Sequence, residues 1–359
     1  MRIAVSTGGG DAPGLNAVIR AVVIGAVNRG WEVLGVHRGF GGLLGDAQVE
    51  PLDRDRVRGI THLGGTIIGT TNRGNPFRWP VLRTDGTWQE EDRSAELLDS
   101  FRRHRLDALI AVGGDGTLRI AYELFKRGLP VVGVPKTIDN DVAGTVYTFG
   151  FDTAVQTATE AIDKLHSTAE AHERVMVVEV MGRYAGWIAL YAGLAGGADV
   201  ILIPEIPFDI ERVCDKIRSR EAMGRHFSIV VAAEGAAPGQ GQEVVVAHAH
   251  AGAERRLGGI GAKVARDIGE RTGKETRSIT LGHLQRGGSP TTRDRMLGLS
   301  FGAGAVRAVA AGEFGKMVAL LPPDMRLVPL ASVQEEPRRV PLGSDSVLTA
   351  RELGISFGD

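Results

Sequence analysis

Short apolar runs alternate with longer amphipathic stretches along most of this 359-residue chain. The runs have the length and residue types of buried strands: Arg2–Ser6, Trp31–Val36, Asp107–Val112, Pro130–Val134, Arg174–Val180, Val200–Ile203, Phe227–Ala233 and Arg277–Leu281. The stretches between them are predicted as helices: Leu15–Arg29, Ser94–Arg103, Thr117–Lys126, Asp152–Thr168, Glu211–Ala222 and Gly258–Glu270. Apolar strands separated by helices are typical of α/β folds with parallel sheets covered on both faces. Such sheets bind ligands beyond the carboxyl ends of their strands, so we expect functional residues in the loops found there.

The length of the chain favours two doubly wound α/β lobes with mostly parallel sheets. A boundary is predicted near Gly150, after the turn-rich segment Thr137–Gly150. From about Leu321 the periodicity fades and prolines recur at 322, 323, 329, 337 and 341. We therefore expect 321–359 to be a C-terminal tail of mostly irregular chain.

Composition narrows the class of protein. Hydrophobic residues make up 43% and charged residues 24%, which is typical of a globular protein. The net charge of -1 gives no general basic field, so neither nucleic acid nor a membrane is an expected partner. Cys214 is the one cysteine, which excludes an internal disulfide and a cysteine-based zinc site. No signal-peptide pattern or membrane-length apolar run is present, so we expect a cytoplasmic protein.

The first candidate motif is the glycine-rich segment Thr7–Asn16, which follows the first predicted strand. Glycines at a strand-to-helix turn expose backbone N–H groups, and the helix N-terminus favours phosphate. Tight packing alone also explains such turns. The segment does not match the Walker pattern, because no Gly-Lys-Ser/Thr follows.

The second motif is Gly113-Gly114-Asp115-Gly116, again between a strand and a helix. Its glycines leave room for a nucleotide phosphate, and Asp115 is a candidate Mg²⁺ ligand. The alternative is that Asp115 only caps the next helix. Capping needs no preceding glycine pair, so phosphate and metal binding is the favoured interpretation.

The third motif is Pro135–Asp141, a loop with two carboxylates, a hydroxyl and an ammonium group after another strand. Asp139 and Asp141 stand at i and i+2, where they repel unless a cation is present or one acts as a base. A plain polar turn would look similar. The position at the carboxyl end of a strand favours chemistry.

The fourth group is a set of cationic residues: Arg73, Arg174, Arg183, Arg277, His283 and Arg286. Arginines next to glycines suit bidentate capture of a phosphate monoester. Any one of these side chains is better explained as a surface group or a structural histidine. The inference depends on the whole set.

In this order, these motifs resemble the phosphofructokinase family, over nearly the whole chain to about Leu320. The residues that support the resemblance are Gly9–Gly14, Gly113–Gly116, Thr137–Asp141, Met181–Arg183 and Gly282–Pro290. The resemblance implies a phosphofructokinase-like fold. Its larger nucleotide-binding lobe would comprise 1–150 and about 285–320, and its smaller sugar-phosphate-binding lobe 151–284. It also implies an enzyme that phosphorylates fructose 6-phosphate at O1, with Mg²⁺.

The resemblance further implies roles on the donor side. Asp139 would be the general base, with Thr137 beside it and Lys136 adding positive charge, while Arg73 and Arg183 would stabilise the transferring phosphoryl group. Asp115 would be the metal-associated carboxylate. The donor-binding residues would be Gly9, Gly10, Asp11, Arg73, Arg78, Gly113, Gly114, Asp115, Gly116 and Thr117.

On the acceptor side, the resemblance implies that Met181, Gly182 and Glu234 bind the sugar. The other acceptor-binding residues would be Thr137, Asp139, Asp141, Arg183 and, for the 6-phosphate, Arg174, Arg277, His283 and Arg286. In this family the residues matching Arg174 and Arg277 reach the site from a neighbouring subunit. A homotetramer or homodimer is therefore implied.

The phosphoryl donor is ATP in some family members and pyrophosphate in others. Pyrophosphate users usually have Asp at the position of Gly116 and Lys at that of Lys136, so this chain has one feature of each kind. An Asp at 116 would intrude on and repel the α-phosphate of ATP. Gly116 therefore favours ATP, with pyrophosphate as the alternative.

Three other functions stay open at this point. An NAD or lipid kinase would also use a Gly-Gly-Asp-Gly turn, but would not explain Met181–Arg183 or His283–Arg286. A sugar-phosphate sensor would have no reason to retain Asp139. A kinase for sedoheptulose 7-phosphate would need only a longer acceptor pocket.

Overall fold

The computed structural model describes residues 1–239, 245–247, 256–334 and 336–359. These fall into two compact units. Unit 1 contains Met1–Asp152 and Arg286–Pro337, and unit 2 contains the described residues of Thr153–His250, Glu254–Gln285 and Arg338–Asp359.

The strands, in chain order, are β1 (Arg2–Thr7), β2 (Glu32–Val36), β3 (Val49–Pro51), β4 (Trp79–Leu82), β5 (Trp88–Glu91), β6 (Ala108–Gly113), β7 (Val131–Thr137), β8 (Phe149–Gly150), β9 (Val175–Val180), β10 (Val200–Leu202), β11 (Ser228–Ala233), β12 (Val245–Ala247), β13 (Arg256–Leu257), β14 (Thr276–Thr280), β15 (Lys316–Leu321) and β16 (Asp324–Pro329). The α-helices are α1 (Leu15–Val27), α2 (Ser94–Arg103), α3 (Asp115–Lys126), α4 (Phe151–Ala171), α5 (Trp187–Ala195), α6 (Ile210–Ala222), α7 (Ile260–Thr272), α8 (Thr292–Ala310) and α9 (Asp345–Glu352). Every strand and helix predicted from the sequence is present, with bounds shifted by at most three residues.

The main sheet of unit 1 has the order β16-β15-β7-β6-β1-β2-β3, with β8 paired to β7. The pairs β7-β6, β6-β1 and β1-β2 are parallel, and only the outer strands β3 and β16 pair antiparallel. Ile3 and Val5 pack in one core cluster with α1 and α8, while Ala4 between them packs in another with α2 and α3. The alternation of strand side chains therefore buries both faces of the sheet.

Unit 2 is built on a second sheet of order β10-β11-β9-β14, in which every pair is parallel. Val175, Val177 and Val230 pack in one core cluster with apolar residues of α6 and α7. The predicted fold class, α/β with mostly parallel sheets, is confirmed. Among the described residues, no helix has the length and apolar character needed to cross a membrane.

The prediction that the chain after Leu321 is mostly irregular is wrong for two segments. Strand β16 continues the sheet of unit 1 by pairing along its whole length with β15. Helix α9 and the chain end belong to unit 2, where Ser356 forms a parallel bridge with Val200 and Phe357 is fully buried. Strand β16 is ordered by hairpin pairing with β15, and the chain end by contacts with residues distant in sequence. The prolines and weak periodicity of this segment report neither.

Replacement of Phe357 by alanine should destabilise unit 2, because it would empty a fully buried aromatic site. We expect a loss of about 3–5 kcal/mol in the free energy of unfolding, or a melting temperature lower by on the order of 10 °C. Leu353→Ala is the control, since this side chain lies in the same tail but is 68% exposed. Equal melting temperatures for the two variants would show that the chain end does not stabilise the unit.

Candidate active site

Three loops of unit 1 lie side by side at one edge of its sheet. Strands β1, β6 and β7 are neighbours and parallel, so their carboxyl ends meet at this edge. The loops that follow are Gly8–Asp11, Gly113–Thr117 and Lys136–Asp141. The structure thus brings the first three sequence motifs together.

The first loop is fixed by hydrogen bonds from its own backbone. Gly8 N donates to Val112 O at 2.9 Å, and Gly9 N donates to Thr71 O at 2.9 Å. The hydroxyl of Thr70 donates to Gly9 O at 2.6 Å. Gly9 has φ +78°, a left-handed conformation that favours glycine. The N–H groups of Gly8 and Gly9 are therefore already used, so the expectation of exposed amides does not hold for these two residues.

The second loop shows two different reasons for its glycines. A Cβ at Gly113 would lie 2.3 Å from Cβ of Thr117, so glycine is required there for packing. A Cβ at Gly116 would meet no atom of the described residues within 4 Å. Packing does not explain Gly116, which leaves open space at the first turn of α3. The first N–H groups of a helix lack intrahelical partners, so this turn is suited to binding phosphate.

The third loop begins with a buried lysine. Lys136 is only 3% exposed, and its Nζ donates to Gly10 O. Burial lowers the pKa of Lys136 to about 7, with a smaller contribution from the positive charge of Arg286. Lys136 therefore links the end of β7 to the first loop. It also loses its proton at a lower pH than an ordinary lysine does.

Asp139 and Asp141 are acids with displaced pKa values. Oδ1 of Asp139 is enclosed and accepts no hydrogen bond from the described part of the chain. Burial raises the pKa of Asp139, although the positive charges of Arg286 and Lys136 oppose that shift. Burial and the charge of Asp139 raise the pKa of Asp141 to about 7. Both carboxyl groups therefore hold a proton more readily than ordinary aspartates.

Asn140, which the sequence analysis did not single out, fixes the shape of this acidic loop. Asn140 has φ +53° and is buried. Its Oδ1 accepts from Thr148 N at 3.1 Å, while the Thr148 hydroxyl donates to Thr137 O at 2.8 Å. Asparagine tolerates the left-handed conformation better than most residues, so an Asn between two Asp was an available signal for this turn.

Three predicted arginines of unit 1 have different surroundings. Arg286 reaches the first loop, where Nη1 donates to Asp11 O at 3.0 Å. Arg73 is exposed, and its backbone N donates to the Thr71 hydroxyl at 3.0 Å. The guanidinium of Arg78 pairs with Glu90 on β5, with Nε 2.7 Å from Oε2. Arg286 is thus the one of the three that interacts with the charged groups of the acidic loop.

The metal prediction rests on Asp115, whose half-exposed carboxylate lies 3.9 Å from the guanidinium of Arg119. The described residues contain no cluster of three or more His, Cys, Asp or Glu side chains able to hold a metal by themselves. Mg²⁺ usually takes one or two carboxylates and completes its shell with water and phosphate oxygens. The half-exposed carboxylate of Asp115 fits one place in that donor set, and water and phosphate oxygens would supply the others.

In unit 2, the predicted sugar-binding residues follow the carboxyl ends of β9 and β11. Gly235 N donates to Gly182 O at 3.1 Å, and Glu234 N donates to Val180 O at 2.9 Å. Met181 N donates to Oε1 of the buried Gln285 at 3.4 Å. These bonds hold the loop of Met181 and Gly182 against the two segments next to it.

Arg174 and Arg277 are found away from that loop. Both pair with Glu275: Arg174 Nε is 2.9 Å from Oε2, and Arg277 Nη2 is 2.6 Å from Oε1. Arg174 precedes β9 while Met181 follows it, and a six-residue strand separates them by about 20 Å. Within one copy of unit 2, this arginine pair and the loop at Met181 are therefore separate. His283 is exposed in a short 3₁₀ helix, Gly282–Arg286.

Comparisons with known proteins agree with one another. The family model described as Phosphofructokinase matches residues 2–309. An ATP-dependent 6-phosphofructokinase of Chloroflexus aggregans is 56% identical, with all of this chain and 98% of the relative covered. A pyrophosphate–fructose 6-phosphate 1-phosphotransferase of Amycolatopsis methanolica is 52% identical, with 95% of this chain and 96% of the relative covered.

Solved structures give the same result for the fold. Phosphofructokinase of Pichia pastoris in the T-state superposes with a TM-score of 0.80 at 32% identity. The match covers 93% of this chain but only 35% of that longer one. A pyrophosphate-dependent phosphofructokinase of Marinobacter aquaeolei superposes with a TM-score of 0.78 at 22% identity, covering 99% and 92% of the two chains. The chain described here belongs to the phosphofructokinase family.

Proposed function

We propose that this chain is an ATP-dependent 6-phosphofructokinase, which phosphorylates fructose 6-phosphate at O1 to give fructose 1,6-bisphosphate in glycolysis. The observation that supports this most concerns Asp139. Its Oδ1 is enclosed and has no hydrogen-bond partner among the described residues, and it lies where the glycine-rich and acidic loops after β1, β6 and β7 meet. Relatives at 56% identity with that activity add support. The glycolytic role also favours a cytoplasmic location.

Asp139 would act as the general base. Its ionised carboxylate would accept the proton of the C1 hydroxyl as that oxygen attacks the terminal phosphorus of ATP. The bond from this phosphorus to the bridging oxygen would break, and ADP would leave. Oδ1 is available to accept the proton, because no described group donates to it. A carboxyl whose pKa is raised by burial is a stronger base than an ordinary aspartate, and the positive charges of Lys136 and Arg286 keep its ionised form accessible. Thr137 shapes the loop by accepting a hydrogen bond from Asp139 N at 3.1 Å.

The donor phosphates would bind at the first turn of α3, between Gly113–Thr117 and the loop of Gly9, Gly10 and Asp11. Asp115 would hold Mg²⁺, which when bound neutralises charge on the phosphate oxygens. Arg73 and Arg183 would stabilise the charge of the transferring phosphoryl group. Arg78 is the weakest member of this set, since Glu90 already engages its guanidinium.

The acceptor would contact Met181, Gly182 and Glu234 through its sugar, and Asp141 would be a further acceptor-binding residue. Its 6-phosphate would bind Arg174, Arg277, His283 and Arg286. The separation of about 20 Å between Arg174 and Met181 within one copy supports a site completed by a second copy. We therefore propose a homotetramer or homodimer as the active form.

Two observations bear on the phosphoryl donor. The open space at Gly116 supports ATP, because packing among the described residues does not require a glycine there. Lys136 is shared with pyrophosphate users, but its Nζ is bound to Gly10 O inside the protein. Pyrophosphate stays the second candidate donor, since a relative with that activity is 52% identical.

Gly116→Asp should depress the use of ATP and favour pyrophosphate in relative terms. A unit charge placed near a phosphate costs on the order of 1–4 kcal/mol, which is a loss of roughly fivefold to almost a thousandfold in kcat/KM for ATP. The open space means that the fold should tolerate the new side chain. Initial rates with each donor, at saturating fructose 6-phosphate, measure the effect.

Gly116→Asn is the matched control, because it adds the same volume without the charge. An equal loss of ATP use in both variants would identify volume, rather than charge, as the cause. A wild-type enzyme that prefers pyrophosphate would contradict the donor assignment itself.

Asp139→Asn should lower kcat by about 10²–10⁴-fold, because asparagine has nearly the same shape but cannot accept the proton. The KM values should change much less. The assay compares fructose 6-phosphate and sedoheptulose 7-phosphate as acceptors, each with ATP and with pyrophosphate. A rate within twofold of wild type would exclude Asp139 as the base, and binding without turnover in the wild type would favour a sensor.

A further inference from the structure

The loop Met181–Gly186 of unit 2 is held at three points. Met181 N donates to Gln285, and Gly182 O accepts from Gly235 N, as described above. The third point is its far end, where Gly186 N lies 3.1 Å from both carboxylate oxygens of Glu205. Glu205 therefore fixes the place where the loop turns into α5.

The loop end also packs tightly against the segment that contains Glu205. A Cβ at Gly186 would lie 2.3 Å from Cγ2 of Ile203 and 3.0 Å from Oε2 of Glu205. A carboxylate in front of a helix N-terminus is stabilised by the helix dipole and by hydrogen bonds from backbone N–H groups. Little room remains for the loop end to shift while Glu205 stays in place.

The same carboxylate binds the C-terminal segment. Val340 N donates to Oε1 of Glu205 at 2.8 Å. Two residues earlier, the carbonyl oxygen of Arg338 accepts from Trp187 Nε1 at 3.1 Å, and the Arg338 guanidinium lies 4.2 Å from the centre of the Trp187 ring. The segment 338–340 is thus attached to the first turn of α5 on two sides.

We propose that Glu205 is a positioning residue for acceptor binding, which fixes the loop of Met181, Gly182 and Arg183 by joining its end to the C-terminal segment 338–340. The proposal rests on the proposed function, in which this loop contacts the sugar. A loop held at its end loses less conformational freedom when the sugar binds, so affinity depends on the anchor. Glu205 does not itself contact the substrate, and the C-terminal segment acts through it.

The test compares Glu205→Ala and Glu205→Gln with wild type in the full-length protein. We expect Glu205→Ala to raise the KM for fructose 6-phosphate about tenfold, since it removes charge-assisted hydrogen bonds to two backbone N–H groups. Glu205→Gln keeps the shape and one acceptor oxygen, so its KM for fructose 6-phosphate should lie between those of wild type and Glu205→Ala. The KM for ATP should stay within twofold in both variants.

Asp209→Ala is the matched control. Asp209 caps the N-terminus of α6 in the same unit by accepting from Glu211 N at 2.9 Å, and α6 contains no candidate site residue. This variant should lose comparable thermal stability and keep its KM for fructose 6-phosphate. Trp187→Phe removes the N–H that donates to the carbonyl oxygen of Arg338. It should also raise the KM for fructose 6-phosphate, but by less than Glu205→Ala does.

Equilibrium binding of fructose 6-phosphate, measured by calorimetry without donor, separates this proposal from the proposed function. Weaker binding by both Glu205 variants than by Asp209→Ala supports the positioning role. Equal binding by all of them assigns Glu205 a structural role only and overturns the proposal. Wild-type protein that neither binds nor phosphorylates fructose 6-phosphate overturns both.

Discussion

The burial of charged groups at the carboxyl edge of the unit 1 sheet is the constraint on which the rest of the site depends. Parallel pairing of β1, β6 and β7 brings three loops together there and encloses Lys136 beside Asp139 and Asp141. Burial disfavours every charged form, so the pKa of the lysine falls while the pKa values of the two acids rise. The fold thus makes both aspartates bind a proton more tightly than ordinary aspartates do.

Much of this could be predicted from the sequence. Apolar runs indicated the central strands, and parallel order followed from the helices between them. The position of Asp139 after β7 then placed an acid at the ligand-binding edge. Local pattern could not show that Gly8 and Gly9 already use their amides, or that Glu90 engages Arg78, because those partners are distant in sequence. The order of the chain end was missed for the same reason, because Ser356 bridges to the distant Val200.

In unit 2, the positions of the side chains in one chain do not match the single site that the family resemblance implies. The motifs assign Met181 and Arg174 to a single acceptor site, yet they lie at opposite ends of β9. Under the proposed function, a second copy of the chain would supply Arg174 and Arg277 to the site and so account for this separation. Glu205 adds a link from the loop Met181–Gly186 to the C-terminal segment, which no sequence motif indicated.

The central claim, that burial raises the pKa of Asp139, can be tested directly by carbon-13 NMR titration of its carboxyl group. Protein labelled at aspartate carboxyl carbons would be titrated without substrate, and Asp139→Asn would assign the resonance. We predict a midpoint clearly above the ordinary aspartate value of about 3.9, because the enclosed carboxyl resists ionisation. A midpoint at or below that value would show that Lys136 and Arg286 outweigh burial, and would contradict this account.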